Sequence, residues 1–310
     1  MKNETSFLKP FYLNQQGQRG KAMMALAAVC FFWGTTWVAS KEGVRHMPAL
    51  QLAGLRQLFG GLCYVLFFMA KGARWPRGKE WGVVLMLSFL NFMLSNALST
   101  WGVKFISAGL GSIIGSIFPL WIVVIGLWSG QNKPKPKTIA GLIAGFIGIC
   151  VIFYEHLHDF LNPQFRFGIF LSLAATWSWA FGTIYTKKHA VNFNPYFSLG
   201  LQMLISGLSI LLLTEVTNTS VPLAAIPVAS WLSIGYLVLF GSVISFMAFL
   251  YALQHLPTEQ ASLYAYINPI VALFCGWLIF GEIITPYIIV GVLITLLGVY
   301  LVNKAAVKVK

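Results

Sequence analysis

The chain has 310 residues, of which 58% are apolar and only 9% are charged. Ordinary soluble domains carry roughly 25% charge, so a soluble enzyme is excluded. A mean hydropathy of +0.77 over the whole length is too much apolar surface for one aqueous core, and a bilayer is the expected solvent. A net charge of +13 and a pI near 9.7 would suggest nucleic-acid binding in a soluble protein. Here the basic residues flank apolar runs, which membrane topology explains, and no nucleic-acid partner is expected.

The first 21 residues are polar and lack an apolar core followed by a small-residue cleavage site, so no cleaved signal peptide is expected. A spanning helix needs about 20 mostly apolar residues, and that template can be laid down ten times. The predicted spans are 22–40, 49–70, 81–101, 106–128, 138–154, 167–186, 195–214, 230–251, 260–280 and 286–303. Arg56 is the single Asp, Glu, Lys, Arg or His inside any of these spans. With the N-terminus placed in the cytoplasm, inner segments hold sixteen Lys and Arg residues against four in the outer loops. That asymmetry puts both termini on the cytoplasmic side of a cell (inner) membrane.

Sliding the chain against itself reveals two halves. At an offset of 146, Trp33, Lys41, Gly54, Gly61 and Leu62 fall on Trp179, Lys187, Gly200, Gly207 and Leu208. At an offset of 150, Ser95, Ser112, Pro119, Gly126, Gly141 and Gly148 fall on Ser245, Ser262, Pro269, Gly276, Gly291 and Gly298. The chain therefore divides into a cytoplasmic tail (1–21), a first repeat (22–154), an outer connecting loop (155–166), a second repeat (167–303) and a basic cytoplasmic tail (304–310). Each repeat holds five spans, an odd number, so the second enters the bilayer from the opposite side. The expected fold class is an all-α integral membrane protein of ten transmembrane helices in two inverted five-helix repeats, the geometry of secondary transporters.

Candidate binding residues follow from helical spacing. Trp33, Thr36, Trp37 and Ser40 share one face of span one, matched in span six by Trp179, Gly182, Thr183 and Thr186. Hydroxyls and indole N–H groups can bond a polar substrate while the rings cover its apolar part. In the competing reading the hydroxyls bond back to their own helix and the tryptophans pack between helices. Both stay open for Trp33, Thr36 and Trp179, whereas packing is the expectation for Trp37 and Thr183. In span three Asn91 and Ser95, with Asn96 beside them, should face other helices or a cavity, because an amide is costly against lipid. Ser245 is the counterpart of Ser95 in span eight.

Pro119 and Pro269 lie near the middle of spans four and nine, where each removes an N–H donor and pushes on the carbonyl four residues back, at Gly115 and Ala265. A freed carbonyl in lipid must face protein or a polar cavity. Ser116 shares the stripe of Pro119, and Tyr266 that of Pro269, with Tyr264 and Asn268 adding polar groups. This predicts a kinked, hydroxyl-lined pair acting as binding wall and hinge. Glycines such as Gly111, Gly115, Gly141, Gly145 and Gly148 are read as close helix contacts.

Arg56 lies roughly 10 Å along span two from its outer end. It can bind a substrate carboxylate, pair with Glu42 or Glu282, or snorkel outward, and the expectation is pairing or snorkelling. Glu259 and Glu282 bracket span nine and are the candidate charge or coupling groups. No carboxylate lies within a span, which favours a neutral or zwitterionic substrate over a strongly cationic drug. The four cysteines sit in apolar runs without paired spacing, so neither disulfides nor a zinc site is expected. No phosphate-binding glycine loop or nucleophile motif is present, so ATP drive within the chain, a cofactor and catalysis are not expected.

Three stretches together resemble the EamA family of the drug/metabolite transporter superfamily. They are Trp33-Gly34-Thr35-Thr36 with Lys41, Arg56 in span two, and Pro257-Thr258-Glu259-Gln260-Ala261 through Asn268-Pro269 to Gly281-Glu282. The likeness covers nearly everything from 22 to 303. It implies two EamA repeats, export of small metabolites such as amino acids, and a central cavity lined by spans one, three, four, six, eight and nine. The first repeat departs from the pattern, with Gln131 and Asn132 at the positions of Gly281 and Glu282. The expected function is a secondary transporter whose partners are a small-molecule substrate and membrane lipid. A multidrug or organic-cation exporter and a membrane-embedded lipid enzyme are the alternatives.

Overall fold

The computed structural model describes residues 15–128, 136–189, 194–256 and 264–307, and these are all-helical apart from turns. In chain order α1 is Gln15–His46, α2 Ala49–Ala70, α3 Lys79–Gly102, α5 Pro136–Glu155, α6 Pro163–Lys188, α7 Pro195–Val216, α9 Tyr264–Phe280 and α10 Pro286–Val307. Helix α4 runs in two pieces, Ala108–Ser116 and Phe118–Trp128. Helix α8 comprises Val228–Tyr236, Leu237–Ile244 and Ser245–His255.

Proline and asparagine start several of these helices for a local reason. A first-turn proline lacks only an N–H that the helix would leave unpaired anyway. Pro163 and Pro195 follow Asn162 and Asn194, whose side-chain oxygens accept from the backbone N–H of Gln164 at 2.9 Å and Tyr196 at 2.9 Å. Gly281, at φ 66°, takes the left-handed conformation that turns the chain out of α9.

Eight helical segments among the described residues are long and apolar enough to cross a membrane, where the sequence reading expected ten spans. The two shorter apolar stretches are Ile267–Phe280 in α9 and Pro286–Leu301 in α10. The expected ninth span opened at residue 260, outside the described residues. Helix α1 outruns the expected span at both ends, because polar helix formers continue the turn beyond the apolar run.

The packing is that of a protein turned outward to an apolar solvent. Phe146 on α5 is 68% exposed, Leu212 on α7 65% and Leu293 on α10 62%. Apolar faces of this extent belong against lipid. Inside, helices meet through glycines, because lipid supplies no hydrophobic drive between helices and close backbone approach must supply the contact. Helix α2 packs along α7, where a Cβ on Gly61 would overlap the Leu204 backbone and one on Gly207 the Leu58 backbone. Helix α5 packs along α10 in the same way, through Gly148 against Gly291 and Gly298 against Gly145. Helix α1 packs on α8 and α9, and α6 packs on α3 and α4. The apolar core is accordingly shared. One cluster joins Ile113 and Ile152 to Phe165 and Val292, and another joins Leu52 and Leu55 to Ile234 and Leu237.

Gly207→Ala is expected to lower the unfolding free energy in detergent by about 1–3 kcal/mol, since the new methyl meets backbone that cannot step aside. Gly82→Ala, with nothing within 4 Å of the added carbon, is the matched control and should be neutral or slightly stabilising.

Candidate functional site

Two helices widen where they pass the centre of the bundle. Ser88–Asn96 of α3 and Leu237–Ile244 of α8 are π-helical, each turn carrying an extra residue. Widening takes backbone carbonyls off the regular ladder, and in an apolar surround each needs another donor. The donors are side chains of neighbouring helices. On α8, Trp33 Nε1 donates to Gly241 O at 3.1 Å, and Tyr64 Oη donates to Val243 O at 2.8 Å and Ser242 O at 3.2 Å. Ser245 Oγ donates to Phe240 O within α8 itself. On α3, Ser178 Oγ donates to Leu90 O at 2.8 Å and Thr100 Oγ1 to Asn96 O at 2.9 Å.

A cavity of about 170 Å³ is walled by residues of α1, α2, α3, α4, α6, α8 and α9. Both sequence halves contribute. The first gives Trp33, Thr36, Trp37, Arg56, Asn91, Ser95 and Ser116, and the second gives Thr176, Trp179, Phe246, Tyr264 and Asn268. The aromatic part is built tightly. Trp33 meets Phe246, Phe249 and Tyr264 with ring centroids 5.0, 5.1 and 5.0 Å away. Trp37 lies flat against Gly111 and Gly115 of α4, where any Cβ would press on its ring. Those glycines are therefore the seat of an aromatic wall.

The polar part is committed unevenly. Thr36 Oγ1 donates to Trp33 O at 2.6 Å and Ser116 Oγ to Ile113 O at 2.7 Å, so their hydroxyls face a solute only as acceptors. The Trp33 N–H is spent on Gly241, and the Trp179 side chain is a hydrogen-bonding partner of the Tyr264 hydroxyl. With its amide nitrogen facing the two carbonyls, Asn268 donates to Tyr264 O at 3.1 Å and Cys30 O at 2.9 Å, tying α9 to α1. In contrast, Asn91 Oδ1, Asn96 Oδ1 and Ser112 Oγ are buried without a hydrogen-bond partner among the described residues. Asn91 rests on Gly182, whose missing Cβ leaves room for the amide.

Arg56 departs from its expectation. It is buried and does not snorkel, and among the described residues it pairs with no acid. It is 6% exposed, borders the cavity, and donates from Nε to Ser242 Oγ at 3.1 Å. The two glutamates considered as partners are engaged elsewhere. Glu42 pairs with Arg45 at 3.1 Å and His46 at 3.3 Å on its own helix. Glu282 accepts from the N–H groups of Ala108 at 2.8 Å and Gly109 at 3.2 Å, capping the first turn of α4. Lys41 binds the adjoining turn, donating to Ile106 O at 2.7 Å. Glu282 thus belongs to a latch between helix ends and stands outside the cavity wall.

Other sequence-predicted residues are placed differently from one another. Thr183 Oγ1 donates to Trp179 O at 2.8 Å, and Thr183 does not border the cavity. Ser245 is buried against its own helix, and its neighbour Phe246 lines the cavity instead. Of the two prolines, Pro119 falls in the first turn after a break at Ile117, whereas α9 runs on through Pro269. The side chains of Pro119 and Tyr266 are not among those described, and Glu259 lies outside the described residues. Sequence reasoning missed Thr176, three residues before Trp179 and so legible from that spacing, and Ser242 as the partner of Arg56.

Trp33→Phe keeps the ring and removes the donor, leaving Gly241 O unpaired. Denaturant unfolding should show a loss of about 1–3 kcal/mol.

The family model described as "EamA-like transporter family" matches residues 20–154 and 166–304. "Uncharacterized transporter YoaV" of Bacillus subtilis (strain 168) is 26% identical over 91% of this chain and 96% of its own. "Uncharacterized inner membrane transporter YedA" of Escherichia coli (strain K12) is 26% identical over 89% of this chain and 91% of its own. A "Probable amino-acid metabolite efflux pump" of Salmonella typhimurium is 28% identical over 91% of this chain and 94% of its own. A solved crystal structure matches 92% of this chain and 97% of its own with a TM-score of 0.65 at 16% identity, a likeness of fold alone.

Proposed function

Because this chain belongs to the EamA-like transporter family, we propose that it is a secondary transporter exporting small metabolites, amino acids among them, across an inner membrane by alternating access. The observation that carries the reading is the buried, part-polar and part-aromatic cavity walled by residues of both sequence halves. Its walls include the six helices that the family resemblance implies, with α2 added through Arg56.

In this reading the chain forms ten spans in two inverted halves, with both termini cytoplasmic. Support comes from matched features at the repeat offset. Both third helices of the halves, α3 and α8, widen at equivalent positions, and the pairings α1 with α8 and α6 with α3 mirror one another. Two halves built alike and facing opposite ways have two packings of similar energy, which is what an exchange between inward-open and outward-open states needs. An organic cation is the less favoured substrate. No carboxylate borders the cavity among the described residues, and a cation there would meet Arg56 unscreened.

Purified protein in liposomes preloaded with unlabelled amino acids should show saturable counterflow of at least one labelled amino acid. Trp33→Ala, which opens the aromatic wall, should reduce it ten-fold or more. Absence of flux across a broad metabolite panel would contradict the transporter assignment. Cysteines placed in the tails should react with an impermeant thiol reagent from the cytoplasmic face; tails on opposite faces would contradict the inverted arrangement.

A further inference from the structure

A guanidinium held away from water without a counter-charge is costly, and chains retain one where something else completes it. Arg56 is 6% exposed and borders the cavity, and its hydrogen-bond partner among the described residues is a neutral hydroxyl, Ser242 Oγ at 3.1 Å. A guanidinium carries five N–H donors in a planar fork that fits a carboxylate through two parallel bonds, so most of its capacity is unspent. Gly241, on which a Cβ would stand 3.0 Å from Arg56 Nη2, keeps the helix surface beside the fork clear of any side chain.

Resting on the transporter reading above, we propose that Arg56 is the anchor for a carboxylate on the transported solute. The solute class is a monocarboxylate with an uncharged body, with that body against the Trp33 and Trp37 rings. An empty carrier holds a bare cation in a low-dielectric wall, and a loaded one holds an ion pair.

The test uses matched probes on the purified full chain. L-amino acids with uncharged side chains are each compared with their own amide and their own decarboxylated amine, by thermal stabilisation and by competition in counterflow. The acid is expected to stabilise and compete at concentrations at least ten-fold below those needed for its amide or amine. Arg56→Gln is expected to abolish that preference by weakening the acid and not the amide, and Arg56→Lys to restore part of it. Amides or amines acting as well as the acids, no stabilisation by any acid, or equal loss of acid and amide binding in Arg56→Gln would overturn the assignment. If Arg56→Gln does not fold, the ranking on the unmodified protein decides. Stabilisation in the expected order without any flux would sustain the anchor and overturn the transporter reading.

Discussion

A backbone carbonyl that leaves the helical ladder inside a membrane has no water to turn to, and the protein must bring it a donor. This chain widens α3 along the cavity wall and α8 just before Phe246 joins that wall, and so creates several such carbonyls at once. The donors come from other helices. Trp33 reaches from α1 to Gly241, Tyr64 from α2 to Val243, and Ser178 from α6 to Leu90. Each bond ties residues more than eighty positions apart, so the requirement of the backbone becomes the cement of the tertiary structure. Much of the polar chemistry that the sequence places on one face of α1 and α6 is used in this way.

Polar groups left over after that requirement is met are the ones free to act on a solute. Donors remain on the Arg56 guanidinium, which borders the cavity together with aromatic rings whose positions are fixed by glycines on α4 and by ring contacts across α8 and α9. Because Arg56 lies on a helix of the first half and its hydroxyl partner Ser242 on one of the second, any relative movement of the halves acts directly on the group proposed to hold the substrate. The latch of Glu282 on the α4 turn likewise joins a second-half residue to a first-half helix.

What the sequence made legible divides along physical lines. Apolar run length and period located eight helices long and apolar enough to cross a membrane among the described residues, because those depend on composition over about twenty residues and little else. The face of α1 bearing Trp33, Thr36 and Trp37 was legible because that helix is regular. Ser245 was named as the counterpart of Ser95, but its hydroxyl donates to Phe240 O of its own helix and it does not border the cavity. Arg56 was visible as a charge but its fate was not. Whether it reaches water, an acid or a cavity depends on where Glu42 and Glu282 spend their oxygens, and those partners lie in helix ends that only the assembled fold brings together. Thr36 shows the smaller version of the same limit. Its face was right, but its proton is committed to Trp33 O.

The central claim is that one cavity between the halves serves both sides of the membrane. Its most direct measurement is solvent access to a single cysteine at Ser116 in a background lacking Cys30, Cys63, Cys150 and Cys275, read with an impermeant thiol reagent in right-side-out and inside-out vesicles. The expected result is labelling from either side, protected on both by a transported solute. Labelling from one side alone, under every loading condition, would contradict the claim.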